Sequence, residues 1–182
     1  MGTAAENIPQ LPKVVEKDGF IIRNGRPDDC AAIVRYIKDL AVYEKEPESV
    51  VEVTEEVLRK DGFGDSPTFR CLVAEKQNEG QRIIVGYAIY VNSYSTWKGR
   101  SLWIEDLFVR PDSRGQGIGL EFLKCLSKIS LDNGLAKIRC NVLCWNDIAI
   151  SFYDKIGGIV EDEWRQCTFT HEVMKQLVKS QP

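Results

Sequence analysis

One segment constrains this chain more than any other: Val109-Arg110-Pro111-Asp112-Ser113-Arg114-Gly115-Gln116-Gly117-Ile118-Gly119. It follows an apolar run, Leu102 to Arg110, that reads as a strand. It opens a stretch from Gly115 to about Asp132 in which Ile118, Phe122, Cys125, Leu126 and Ile129 share one helical face. A glycine-rich turn at a helix N-terminus presents unpaired N–H groups and the positive end of the helix dipole, a ready site for phosphate. Spacing separates this loop from two common phosphate motifs. The dinucleotide-binding pattern counted from Gly115 needs a third glycine at 120, where Leu120 stands. The P-loop needs Gly-Lys-Ser/Thr, which is absent. What stands is Arg114-x-x-Gly117-x-Gly119.

The rest of the chain arranges itself around that unit. Residues 1–18 carry Pro9, Pro12 and mixed charges with little periodicity, and read as a mobile tail ahead of one domain, 19–182. Phe20 to Arg23 is a short strand. Pro27-Asp28-Asp29 enters a helix whose apolar positions Ile33, Ile37, Leu40 and Ala41 run to about Tyr43. Thr54 caps a short second helix ending near Gly62. Phe69 to Lys76 and Arg82 to Asn92 form a hairpin about Asn78-Glu79-Gly80. After the glycine loop and its helix come a strand, Ala136 to Cys144, and a helix from about Asn146 to Ile156. Two closing strands, Ile159 to Glu161 and Trp164 to Thr170, and a last helix over Glu172 to Lys179 complete the chain. Antiparallel hairpins with one β-α-β crossover make the class α+β, or mixed α/β.

Composition excludes much. The 182 residues contain a single histidine, His171, so a Ser-His-Asp triad or a histidine-rich metal centre has little to be built from, and no metal is expected. A net charge of -3 argues against a nucleic-acid binder. No run approaches the roughly 18 apolar residues of a membrane span, no secretory signal opens the chain, and the expected location is the cytoplasm. The six cysteines (Cys30, Cys71, Cys125, Cys140, Cys144, Cys167) lack Cys-x-x-Cys spacing and read as buried thiols in a reducing compartment. Charge is also unevenly spread. Residues 39–56 hold seven acids and one base, leaving the remainder mildly basic, a division that suits a cationic substrate and an anionic cofactor.

The glycine loop resembles the acetyl-CoA pyrophosphate loop, R/Q-x-x-G-x-G/A, of the GCN5-related N-acetyltransferases. The likeness runs from about Phe20 to the C-terminal helix. It is carried by Asp61-Gly62-Phe63-Gly64, Cys71 to Glu75, Leu102 to Val109, the loop itself, and Trp145-Asn146 ahead of Phe152-Tyr153. Within that superfamily the chain resembles the diamine (spermidine/spermine) acetyltransferases and their thialysine N-epsilon-acetyltransferase branch. The resemblance implies a central, mostly antiparallel sheet with flanking helices, acetyl-CoA as co-substrate, a small primary amine as acceptor, and a homodimer.

Acetyl transfer to an amine needs the CoA held, the amine neutral when it attacks, and the thiolate protonated as it leaves. For the first, the candidates are Arg114 and the amides of Gly115, Gln116, Gly117, Ile118, Gly119 and Leu120. The resemblance adds Leu107, Phe108 and Val109 along the pantetheine arm, and Asn146, Asp147, Ile148 and Ala149 at the next helix start. For Asn146, simple N-capping explains the residue equally well. For the second, only about one part in 10³ of a primary amine is neutral at pH 7. The expected base is Glu105, with Asp106 orienting the substrate. Adjacent strand residues point to opposite faces, so both can line one pocket only if the strand bulges; the resemblance implies such a splay here. For the third, Tyr153 lies two helical turns after Asn146, is protonated at neutral pH, and matches the family's tyrosine, which also contacts the cofactor.

The resemblance further places Tyr43, Glu44, Ser95, Trp97, Arg139, Asn141 and Asp162 on the substrate side. Around Gly158 to Trp164 the chain is shorter than the family pattern, and Asp162 falls in that stretch. Where polyamine-specific enzymes have an acid, this chain has Ser95. Losing one charge-assisted contact costs about 1.5–3 kcal/mol, so a lysine-like amine is expected to be preferred over a polyamine. Three readings stand side by side: a thialysine-type N-acetyltransferase with polyamine acetylation as its variant, a CoA-binding interaction module, and a thiol protein using Cys140 or Cys144.

Overall fold

The computed structural model describes residues 8–179. The chain divides into two compact units, the first up to Asn141 and the second from Val142.

The first unit is a six-stranded sheet in the order β1-β2-β3-β4-β5-β6. Its strands are β1 (Val15–Lys17), β2 (Phe20–Asn24), β3 (Arg70–Asn78), β4 (Gln81–Ser95), β5 (Gly99–Val109) and β6 (Ile138–Cys140). Every neighbouring pair is antiparallel except β5 and β6, which are joined in parallel through α3 (Ile118–Asp132). That is the expected mixed α+β architecture with one crossover.

Side-chain alternation distributes the sheet between two cores. Leu72, Ala74, Ala88, Tyr90, Leu102 and Ile104 pack with Phe122, Leu126 and Ile129 of α3. Cys71, Val73, Tyr87, Ile89 and Phe108 pack on the other face with Ile33 and Tyr36 of α1 (Cys30–Tyr43) and Leu58 of α2 (Glu55–Phe63). A 3-10 turn at Pro27–Asp29 leads into α1. Buried Arg23 ties that start to the sheet, donating to both Asp29 oxygens at 2.7 and 2.9 Å and to Glu75. Thr54 caps α2 as expected, its hydroxyl accepting from the Val57 amide at 3.2 Å.

Three expectations are corrected. Residues 8–18 are part of the fold, whereas residues 1–7 of the expected mobile tail lie outside the described residues. Ile8 and Leu11 are 6% and 4% exposed, β1 pairs with β2, and the Asn24 amide both accepts from the Leu11 N–H at 3.0 Å and donates to its carbonyl at 2.7 Å. The segment is too short to show periodicity, so its anchors are invisible to pattern reading. The strand expected over Ala136 to Cys144 shrinks to the three residues of β6. The two expected closing strands do not form: residues 159–169 adopt no regular structure, since short runs without a neighbouring ladder are marginal.

The second unit holds α4 (Asp147–Lys155) and α5 (His171–Lys179). Asn146 caps α4, its side-chain oxygen accepting from the Ala149 amide at 3.2 Å. Among the described residues, no helix is long and apolar enough to cross a membrane.

Candidate active site

The centre of the first unit's chemistry is an irregularity in β5. Ile89 of β4 pairs with Asp106, and the next residue, Tyr90, pairs with Ile104, leaving Glu105 as an extra residue on β5. Core membership shows the effect on side-chain direction. Before the bulge Leu102 and Ile104 face α3; after it Leu107 and Val109 do, while Phe108 faces α1. Glu105 and Asp106, though adjacent, therefore share the α1 face. The condition that the sequence set for both carboxylates to border one pocket is met by the ladder itself.

The two acids sit differently. Glu105 is exposed, and its Oε2 accepts from the indole Nε1–H of Trp103 at 2.9 Å. Asp106 is partly buried, and its Oδ2 accepts from the Tyr87 hydroxyl at 3.0 Å. Burial raises the Asp106 carboxyl above the usual range; the Tyr87 hydrogen bond opposes this and the Glu105 charge adds to it. Glu44, just past α1, is raised by burial and then by the charge of Asp106. Burial pushes the Tyr87 phenol well up, and the charges of Asp106, Glu44 and Asp39 push it further. The acidic segment thus meets the bulge acids electrostatically, Glu44 and Asp106 each responding to neighbouring negative charge.

Beside the bulge the sheet has a gap. Pairing of β5 with β6 ends at Ile104–Cys140, so Glu105 to Val109 have no sheet partner on that side among the described residues. Leu107 and Val109 lie on this open edge, where an extended chain can add like a strand.

At the end of β5 the glycine loop turns as its composition requires. Gly115 and Gly117 have φ of 73° and 83°, the left-handed region, and a Cβ built on either would meet no atom within 4 Å. Gly117 is the N-cap of α3, with no side chain capping it, so the first amides of α3 face outward unclaimed by a cap. Arg114 donates from Nε to the Val109 carbonyl at 2.9 Å and lays its guanidinium 5.0 Å from the Tyr43 ring centroid. Gln116 is exposed and accepts from Lys76 of β3.

Other expected residues fall elsewhere. Ser95 ends β4 at the tip of the β4–β5 hairpin, where its buried hydroxyl accepts from the Lys98 amide at 3.3 Å; Trp97 in the turn is 78% exposed. Six residues separate Ser95 from Ile89, the partner of Asp106, a distance of about 20 Å along the strand. The structure does not bring Ser95 or Trp97 to the bulge acids of the same chain. Arg139 of β6 pairs with Trp103, its guanidinium 5.6 Å from the Trp103 ring centroid and its Nη2 3.4 Å from Ser93 Oγ. Asn141 follows β6 and is exposed.

In the second unit, Tyr153 is half-buried on α4 with its ring 5.4 Å from that of Phe152. Asp147 and Ile148 are exposed in the first turn of α4 with half-buried Ala149, and Asp162 is exposed in a turn. Burial pushes Cys71 up to about 12 and Cys125 up to about 11, far from a reactive thiolate. Cys144 and Cys167 are exposed, correcting the expectation that all six are buried. Among the described residues no cluster of His, Cys, Asp or Glu is placed to hold a metal ion.

Two residues of this site carry no role in the sequence reading. Tyr87 and Trp103 hold Asp106 and Glu105, and the signal for Trp103 was its place two residues before Glu105 on one strand.

Residues 30–158 match the sequence model of the acetyltransferase (GNAT) family. The thialysine N-epsilon-acetyltransferase of Bos taurus is 43% identical over 164 residues, covering 86% of this chain and 96% of that protein. A human spermidine/spermine N(1)-acetyltransferase-like protein 1 is 37% identical over 166 residues, 88% of this chain but 24% of that protein. Among solved structures, an integron cassette protein from the V. cholerae mobile metagenome superposes with a TM-score of 0.70 at 22% identity, over 90% of this chain and all of that one.

Proposed function

Because this chain belongs to the GNAT acetyltransferase family, we propose that it moves the acetyl group of acetyl-CoA directly to the primary amine of a small lysine-like substrate such as thialysine. The observation that carries this reading is the bulge: it sets Glu105 and Asp106 on one face beside an unpaired stretch of β5, one strand-end from the glycine loop. The thialysine acceptor is supported by the relatives of that name, 41% to 43% identical over most of the chain.

Each chemical need has a candidate in this chain. The amides from Gly115 to Leu120, with Arg114, bind the diphosphate of acetyl-CoA. Leu107 and Val109 pair with its pantetheine arm, and Phe108 lies at the acetyl end. The start of the next helix, with Asn146, Asp147, Ile148 and Ala149, supplies a second contact. Asp106, Glu44 and Tyr43 receive the ammonium, and Glu105 takes its proton. The free amine then attacks the thioester carbonyl. A C–N bond forms, the C–S bond breaks, and the departing thiolate takes the Tyr153 proton. The acylated nitrogen gives up its second proton to the Tyr153 phenolate, and Glu105 releases the first to solvent, so one proton leaves for each acetyl group transferred.

The hairpin tip fits a homodimer. Ser95 and Trp97 are about 20 Å along the strand from the bulge acids, so their substrate role belongs to the site of a second copy. A neutral Ser95 there gives a distal ammonium no carboxylate, which favours a lysine-like amine over spermidine. Six cysteines without paired spacing support a cytoplasmic residence.

The test is a panel of thialysine, lysine, spermidine, putrescine and a lysine-bearing peptide, run beside calorimetric titration of acetyl-CoA. The expected result is tight cofactor binding with highest kcat/KM on thialysine. Acetyl-CoA binding without turnover of any amine would leave an interaction module in place of an enzyme.

A further inference from the structure

Arg139 is a charge without a counter-charge. Its neighbours Ile138 and Cys140 pack against the α3 core, so Arg139 projects to the other face, the one that carries Glu105 and Asp106. Among the described residues no carboxylate lies within ion-pair distance of it. Among the described residues its Nε is buried without a hydrogen-bond partner, and its Nη2 donates to the neutral Ser93 hydroxyl. A guanidinium offers five donors in a planar fork that matches a carboxylate, and most of that fork is unused here.

Trp103 explains why Arg139 does not simply pair with Glu105. The indole N–H holds Glu105 at 2.9 Å while the ring face takes the guanidinium at 5.6 Å. One side chain thus keeps the two opposite charges on one face but apart. Because an indole N–H only donates, it pins one Glu105 oxygen and leaves the other to accept a proton.

Resting on the acetyltransferase reading above, the geometry points to Arg139 as the receptor for a carboxylate on the amine substrate, the group that selects an amino acid over a polyamine. Along β5, Glu105 lies two residues, a rise of about 7 Å, from Trp103, the cross-strand partner of Arg139, and the carboxylate and the guanidinium meet two parts of that one indole. An extended lysine-like chain separates its side-chain nitrogen from its carboxylate carbon by six bonds, also about 7 Å. The amine end meets the acids and the carboxylate end meets the fork. A polyamine brings a second ammonium to the same place and meets a like charge.

The test compares thialysine with thialysine amide, which differs only in losing the carboxylate charge. On wild-type enzyme kcat/KM should favour the acid by about 10- to 150-fold, the worth of a charge-assisted contact. In Arg139→Met that ratio should collapse toward one. In Arg139→Lys, a point charge without the fork, it should fall between. Equal use of acid and amide by the wild-type enzyme overturns the assignment without any variant, and so does a ratio unchanged in Arg139→Met. Turnover of neither substrate by wild-type enzyme would instead fell the acetyltransferase reading itself.

Discussion

Gly117 offers a test in which backbone strain and ligand contact can be pulled apart. Its φ is 83°, and a methyl group placed on it meets no protein atom within 4 Å. Gly117→Ala therefore adds no clash within the protein; its stability cost is the left-handed backbone alone, about 1–2 kcal/mol. For a chain of this size that is roughly 2–8 °C in Tm. In the proposed cofactor site this empty space receives the phosphates of acetyl-CoA, so the methyl should also displace one amide–phosphate hydrogen bond. Such a bond is worth about 1.5–3 kcal/mol, or roughly 10- to 150-fold in Kd. Gly134 is the control: its φ is 64°, it too has nothing within 4 Å, and it sits between α3 and β6, away from the loop. Gly134→Ala should lose the same few degrees and bind CoA like wild type. Calorimetric titration of CoA into both variants, with their melting curves, decides. Equal CoA affinities in the two variants would refute the cradle argument.

Three other outcomes follow from particular contacts. Leu11→Ala should cost about 2–3 kcal/mol in urea unfolding, since Leu11 is 4% exposed; a mobile tail would cost nothing. Tyr153→Phe should lower kcat more than about 10-fold with acetyl-CoA affinity unchanged, and wild-type kcat would remove Tyr153 as the acid. Asp106→Asn should stabilise the ligand-free protein increasingly as pH rises. The native pKa of Asp106 is raised by burial, so its protonated form favours folding, and that advantage disappears as pH climbs through the native value. Melting curves of both proteins from pH 4 to 8 check the sign; a difference constant with pH refutes it.

What could be read from residues alone was whatever repeats or punctuates. The helical spacing of Ile118, Phe122, Cys125 and Leu126 marked α3, and the glycines before it marked its entry. Thr54 and Asn146 announced the caps that the structure shows. The bulge is a counterexample, because one extra residue in a strand buried on both faces barely disturbs an apolar pattern. Its trace is a change of parity, from Leu102 and Ile104 to Leu107 and Val109, which is interpretable only once the two cores are separated. Ile8 and Leu11 were hidden for another reason: their partners, among them Asn24 and Tyr90, lie far along the chain. Long-range pairing also decides residues 159–169, whose apolar and aromatic content suits strands but whose backbone finds no ladder.

The bulge has a further consequence for how such a site can arise. Remove Glu105 and the alternation of β5 becomes regular: Ile104 still faces α3, Asp106 still faces α1, and Leu107 and Phe108 keep their places. Deletion elsewhere in the strand would turn every later side chain inside out. Here the shortened chain should fold as before with a single acid. The residue proposed as proton acceptor is thus an extra one in a sheet whose alternation is complete without it, so the packing of this strand does not depend on the chemistry it is proposed to carry.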